Sequence, residues 1–330
     1  MVRIRFAVIA FLLSIISLSH TATAYDLAIS QYGQVTATLP WAVAMEKGYF
    51  ADEGIKIDQI ISGKGGGTTL RNMMASDLPY GEVATSAALA AINAGLDIVV
   101  VDTASNHIGE IAMVVQPNSS IHEVRELAGK TVGFTNPKST SEMLMRLALE
   151  KAGLTDKVRM VATGGFGGGI ALLQSGGIDA TSIIDPVLTL KPKEFRVIFH
   201  FADLIPHMTW LVGVTTRKFA AEQPELLRKL IRVRRRGVEY IYQNRQDAMR
   251  VYTKVWGENP DAVATYFPKY FGYNGEWSRG GFEEQGLDNM AKGLQLTGKA
   301  TGSVDWAAAI DQRFLPSDLQ HPDLAALAKH

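Results

Sequence analysis

An α/β protein of two lobes with a ligand cleft between them is the fold class this sequence predicts, and three features carry the prediction. Strand-like and helix-like segments alternate from Tyr25 onward, as in a mainly parallel sheet covered by helices. The alternation runs in two rounds, the second beginning over residues 121–129, and a strand-like segment at 210–214 leads back to the first. The chain, at 330 residues, also exceeds what one hydrophobic core usually serves. The expected division is a first lobe from residues 25–105 plus 212–330, and a second lobe from residues 116–201.

The first round opens with a strand at 27–30 and a polar loop at 31–39, after which Pro40-Trp41 starts a helix that Gly48 stops. A strand at 55–61 leads to the loop Ser62-Gly63-Lys64-Gly65-Gly66-Gly67-Thr68-Thr69, then to a helix carrying Leu70, Met73 and Met74. Such glycines let a ligand approach the backbone closely. Their spacing is neither that of a P-loop nor that of a dinucleotide fingerprint, so no nucleotide is read from them. A short strand at 82–85 ends at Thr85-Ser86, an alanine-rich helix runs to Asn93, and strands follow at 98–101 and 111–115.

The second round is organised around residues 127–149. A buried-type strand at 131–134 is stopped by Asn136-Pro137, and Ser139-Thr140-Ser141 follows, any of whose hydroxyls can cap a helix with Glu142 assisting. Met143, Leu144, Leu147 and Ala148 recur at helical spacing behind them. The unit is strand, loop, helix, with the loop at the carboxyl end of a strand, where open α/β sheets bind small polar or anionic ligands. Further on come a strand near 158–161, the glycine loop 164–169, a strand at 180–184 ending at Asp185-Pro186, and a strand at 197–199. Beyond the return strand, Pro224 starts a long amphipathic helix on which Arg232, Arg234, Arg235 and Arg236 are expected to form a solvated face. The polar C-terminus, including His321 and His330, is expected to fray.

Arg3 and Arg5, an apolar run at 6–18 and Ala22-Thr23-Ala24 have the form of a secretory signal peptide, residues 1–24, cleaved after Ala24. The apolar run is shorter than the ~20 residues a membrane-spanning helix needs. With no cysteine in the sequence, disulfides, thiolate metal sites, a cysteine nucleophile and a lipid on an N-terminal cysteine are excluded. The expected location is the periplasm. Lys plus Arg and Asp plus Glu both number 33, and removal of Arg3 and Arg5 leaves a slight negative excess, which argues against nucleic-acid or membrane-surface binding. Neither a catalytic triad, a zinc motif nor a dinucleotide fingerprint is present; no enzyme, no cofactor and no metal are expected, and His107, His200 and His207 read as surface or cleft-lining polarity.

Four stretches resemble a known family. Ala44-Met45-Glu46-Lys47-Gly48-Tyr49-Phe50-Ala51-Asp52-Glu53-Gly54 is similar to the "A-x-x-x-G-Y-F-x-x-E-G" opening of the NMT1/THI5-like substrate-binding proteins. Leu127-Ala128-Gly129-Lys130-Thr131-Val132-Gly133 resembles their "D-L-x-G-K-x-V-G" segment, with Glu126 where Asp is usual; Gly177-Ile178-Asp179-Ala180 and Asp185-Pro186 resemble their "G-x-I-D-A" and acidic-Pro elements. The resemblance implies a type II periplasmic binding protein fold and the role of a periplasmic receptor that hands a small molecule to the permease subunits of an ABC importer; a monomer is expected. One departure is Leu78-Pro79-Tyr80-Gly81-Glu82, where many members have "G-D-I-D-x-G". The superfamily's pyrimidine-synthesising enzymes, which carry a cysteine-rich motif, are the rival class, and a sensor's input module is a third.

The ligand is expected against loop ends of both lobes: Gln31, Tyr32, Trp41, Gly65, Gly66, Thr85, Ser86 and Trp210 on one side, and Ser139, Thr140, Ser141, Phe166 and Asp185 on the other. Capped or glycine-opened helix starts supply N–H donors and the aromatics supply flat apolar contact. Those donors, with Lys64 and Lys138 nearby, favour a sulfonate or another small organic anion. Asp185 and the aromatics favour instead a neutral heteroaromatic such as a thiamine-precursor pyrimidine or riboflavin.

Overall fold

Ten strands are distributed over two sheets in a computed structural model that describes residues 24–324 apart from 138, 186, 300 and 301. They are β1 (Ala24–Ser30), β2 (Lys56–Gly63), β3 (Tyr80–Ala84), β4 (Ile98–Ser105), β5 (Ile111–Val115), β6 (Thr131–Phe134), β7 (Arg159–Ala162), β8 (Ala180–Ile184), β9 (Arg196–His200) and β10 (Leu211–Thr216). The expected signal peptide lies outside the described residues except for Ala24, which opens β1.

The first sheet has the order β2-β1-β3-β10-β4 and the second β7-β6-β8-β5-β9. In each, four strands run in one direction, and the fourth in the order runs antiparallel to both its neighbours. That antiparallel strand, β5 in one sheet and β10 in the other, is the first strand after the chain crosses over. The two crossings therefore deliver the starts of β5 and β10 to the same edge at which the parallel strands end. A cleft bounded by carboxyl ends of strands from two sheets is the consequence.

The strands differ in length from the expectation where polar residues lie inside. β4 was expected to stop at Val101, yet all of its residues through Ser105 are buried. Asp102 accepts a hydrogen bond from Tyr80 Oη at 3.2 Å, and Thr103 Oγ1 bonds Ser278 Oγ at 2.6 Å, so partners from elsewhere satisfy these polar groups.

The departing stretch Leu78-Pro79-Tyr80-Gly81-Glu82 feeds this inner network. Glu82 is fully buried and its Oε2 accepts from Trp41 Nε1 at 2.7 Å and Arg234 Nε at 2.9 Å. Arg234 is buried too, donating further to the carbonyls of Ser278 at 2.7 Å and Ala104 at 2.6 Å. The expectation of a solvated arginine face holds for Arg232, Arg235 and Arg236, which pair with Glu53, Asp318 and Asp52, and fails for Arg234. Its position faces inward on the helix Pro224–Gln243, between Leu230, Val233 and Val238 on the buried side.

The C-terminal segment does not stay with the first sheet alone. The helix Glu284–Leu296 lies against Thr140–Lys151, with Lys292 Nζ 2.9 Å from Glu150 Oε1. Gly293 makes the approach possible, since a Cβ there would stand 2.3 Å from Met143 Cγ. Gly293→Leu is expected to lower stability by ~1–3 kcal/mol through overpacking, outweighing a helix-propensity gain of ~1 kcal/mol; urea unfolding would show it as an earlier midpoint. His321 does not fray as expected, because its N–H and carbonyl both bond the Gln312 side chain at 2.7 Å. His330 lies outside the described residues.

Candidate ligand-binding site

A cavity of ≈ 430 Å³ opens where the strand ends of the two sheets meet. Ser30, Gln31, Gln34, Val35, Gly65, Gly66, Ala84, Trp210 and Leu211 line it from the first sheet's side, and Ile111, Thr135, Ser139, Thr140, Ser141, Phe166, Ile184 and Asp185 from the second's.

Three helices begin at this cavity: Gly66–Ala75, Thr140–Lys151 and Phe166–Gln174. The first turn of a helix has N–H groups without intrahelical acceptors and carries the positive end of the helix dipole. Gly66 is required on steric grounds, because a Cβ there would stand 2.2 Å from that of Ala87. Of the three candidate hydroxyls, Ser139 is the cap: its Oγ accepts from Glu142 N–H at 3.2 Å. Ser141 is turned back instead, accepting from Thr135 N–H at 2.9 Å and bonding the hydroxyls of Thr135 at 2.8 Å and Ser139 at 3.0 Å. The cavity wall is thus a linked row of hydroxyls beside a helix start.

Opposite this row, Gln31 has φ 54°, a left-handed conformation that costs a non-glycine residue of order 1–3 kcal/mol. It is held there by Gln31 N–H to the Gly63 carbonyl at 2.8 Å and by its own carbonyl, which accepts from Gln34 and Val35. Strain of this kind at a cavity wall is typical of sites that hold a ligand.

Asp185 is the one carboxylate among the described lining residues, and it is not free. Its Oδ2 accepts from Lys269 Nζ and, at 3.2 Å, from Tyr270 Oη; its Oδ1 accepts from Thr189 Oγ1 at 2.9 Å. Just behind Ile111, buried Glu110 is pushed up to about 8, by burial first and then by the charge of Glu276, so it adds no full negative charge to the wall at neutral pH.

Four expected site residues stand elsewhere. Trp41 is a core residue with no exposed surface, stacked on Phe50 and edge-on to Tyr80, its indole N–H committed to Glu82. Tyr32 packs on Trp256 rather than facing the cavity. Thr85 is buried and donates its hydroxyl to the Thr209 carbonyl at 2.6 Å, and Ser86 is buried beside it at the start of the helix Thr85–Asn93. Lys64 is exposed and outside the lining, and Lys138 falls outside the described residues. The sequence reading missed Thr135, although it directly follows β6 at the expected strand end, and it missed Lys269 and Tyr270, for which no local signal exists. None of the described histidines lines the cavity: His107 stacks on Tyr273, and His207 Nδ1 lies 2.8 Å from Glu283 Oε2. Among the described residues no cluster of His, Asp or Glu is placed to hold a metal ion, and no helix is long and apolar enough to cross a membrane.

Residues 35–248 match the family model described as NMT1/THI5 like. A Bacillus subtilis (strain 168) protein named "Putative aliphatic sulfonates-binding protein" is 23% identical over 222 residues, 66% of either chain. Among solved structures, the periplasmic aliphatic sulphonate binding protein of Escherichia coli superimposes with a TM-score of 0.66 at 19% identity, covering 84% of this chain and 86% of that one. A cysteine-to-serine mutant of the desulfurization enzyme DSZB, in complex with biphenyl-2-sulfinic acid, superimposes with a TM-score of 0.62 at 14% identity, covering 88% of this chain and 97% of that one. At these identities the structures establish the two-lobed periplasmic binding protein fold. The family model, spanning most of the chain and including the glycine-opened and hydroxyl-capped helix starts that line the cavity, places this protein in the NMT1/THI5-like family.

Proposed function

We propose that the protein is a periplasmic solute receptor of an ABC importer, made after removal of residues 1–24, that takes a small organic anion, a sulfonate foremost, between a lobe of residues 25–105 plus 212–330 and a lobe of residues 116–201. One observation carries this reading: three helix starts converge on a cavity whose one described carboxylate is already neutralised by Lys269. Positive helix ends favour an anion, and the Asp185–Lys269 pair removes the repulsion that an unpaired Asp185 would exert on it. Trp210 and Phe166 leave flat apolar surface for the organic part. The sulfonate names of the family relative and of the structural neighbour agree with this choice.

A desulfurizing enzyme shares the fold, but the hydroxyls at this cavity bond one another and the backbone, and no histidine stands among the described lining residues to act as their base. Calorimetric titration of the mature chain with a short alkanesulfonate should show one site per chain without turnover. The absence of binding heat at any temperature tried, or release of sulfite, would contradict the proposal.

A further inference from the structure

Behind the cavity wall lies a group of buried carboxyls that ligand binding leaves unused. Glu110 sits on the crossing from β4 to β5 and ties three parts of the chain together. Its Oε1 accepts the Thr36 N–H at 2.7 Å, and its carbonyl accepts the Asp185 N–H at 2.9 Å. Asp185, at the end of β8, reaches in turn to Lys269 and Tyr270 on the segment Phe267–Gly272, which packs with the first sheet's helices. One contact between the two lobes therefore runs through Asp185 and Glu110, besides that of the helix Glu284–Leu296 on Thr140–Lys151.

Glu276 lies in the same cluster, fully buried, and neither of its carboxyl oxygens has a hydrogen-bond partner. His107 Nδ1 is 3.8 Å from Glu276 Oε2, too far for a hydrogen bond, and burial pulls the imidazole down to about 4, so it is neutral. Farther out, His207, Asp203 and Glu283 surround His107. The phenols facing the cluster, Tyr242, Tyr252, Tyr266, Tyr270 and Tyr273, are all held above their ordinary range, by burial first, and carry no charge. The cation acting on Glu276 is Lys269, which already serves Asp185. One ammonium cannot fully compensate three buried carboxylates.

We propose that a proton held in the Glu110–Glu276 cluster latches the second lobe to the segment 267–277, so that the cleft loosens as the medium turns alkaline. The consequence for ligand release rests on the receptor reading, whereas the latch itself is tested without ligand. Burial pushes both Glu110 and Glu276 up to about 8. A carboxyl whose folded value is raised is accommodated without penalty at acid pH, and its contribution is lost as pH rises through that value. Alkaline opening follows from that sign.

X-ray scattering of the ligand-free mature chain at about pH 6 and about pH 9, either side of the raised values, should show a larger radius of gyration at the higher pH with helix content retained. Glu110→Gln with Glu276→Gln should hold the smaller radius at both. An unchanged wild-type radius, or equal expansion of the double glutamine variant, overturns the proposal. Should that variant not fold, amide exchange in wild type decides: protection of residues 267–277, corrected for intrinsic rate, should fall over the same range, and constant protection overturns it.

Discussion

Replacing Arg234 by methionine should lower the unfolding free energy by ~3–5 kcal/mol, the usual cost of stranding one partner of a buried ion pair. Arg234 is 1% exposed and Glu82 is fully buried, so the carboxylate left behind has no water to turn to. Three donors would disappear at once, leaving the Ser278 carbonyl without its side-chain donor, the Ala104 carbonyl with the Ser278 N–H alone, and buried Glu82 with only the Trp41 indole N–H and no countercharge. Asp102, which burial already pushes up to about 6 against the pull of Arg234, would rise further and take a proton near neutral pH. Glu82→Leu in the same chain should recover part of the loss, because the orphaned charge goes with it. Urea unfolding of the two variants measures both effects, and a wild-type midpoint for Arg234→Met would show that the network contributes nothing.

Removing the hydroxyls of Ser139 and Ser141 together should weaken ligand binding by ~1 kcal/mol or more per lost hydrogen bond, which for two bonds exceeds tenfold in affinity. The structure adds a cost in stability that differs between the two residues. Ser139 caps the helix Thr140–Lys151, so its loss alone should cost ~1 kcal/mol. Ser141 accepts from Thr135 N–H, so its loss frees the turn that shapes the wall. Dissociation constants and melting temperatures for the two single variants would separate capping from binding; unaltered affinity in the double variant would remove the second lobe's wall from the site.

The sequence reads well where the signal is local. The hydroxyl run after β6 announces a capped helix start within a few residues, and glycine loops announce two more. The return strand β10 also matches an apolar segment in the sequence, although its antiparallel direction is not legible there. What stays hidden depends on partners far away along the chain. An amphipathic pattern assigns Arg234 to water because its partner Glu82 is 152 residues distant, and Trp41 resembles a site aromatic until Glu82, 41 residues on, draws its indole inward. Lys269 neutralises Asp185 across 84 residues, so the choice between anion and heteroaromatic ligand could not be decided from loop composition. Polar residues inside β4 mislead for the same reason: their hydrogen bonds come from Tyr80 and from residues 278–281.

Whether an anion is held between the lobes is tested most directly by thermal-shift screening of residues 25–330 against taurine, alkanesulfonates, aromatic carboxylates, uncharged pyrimidines and riboflavin. A true ligand at a hundred times its dissociation constant adds ~2.7 kcal/mol of stability, a shift easily resolved. Stabilisation by a sulfonate or another small organic anion is the expected result. Stabilisation by an uncharged pyrimidine or by riboflavin, and by none of the anions, would contradict it.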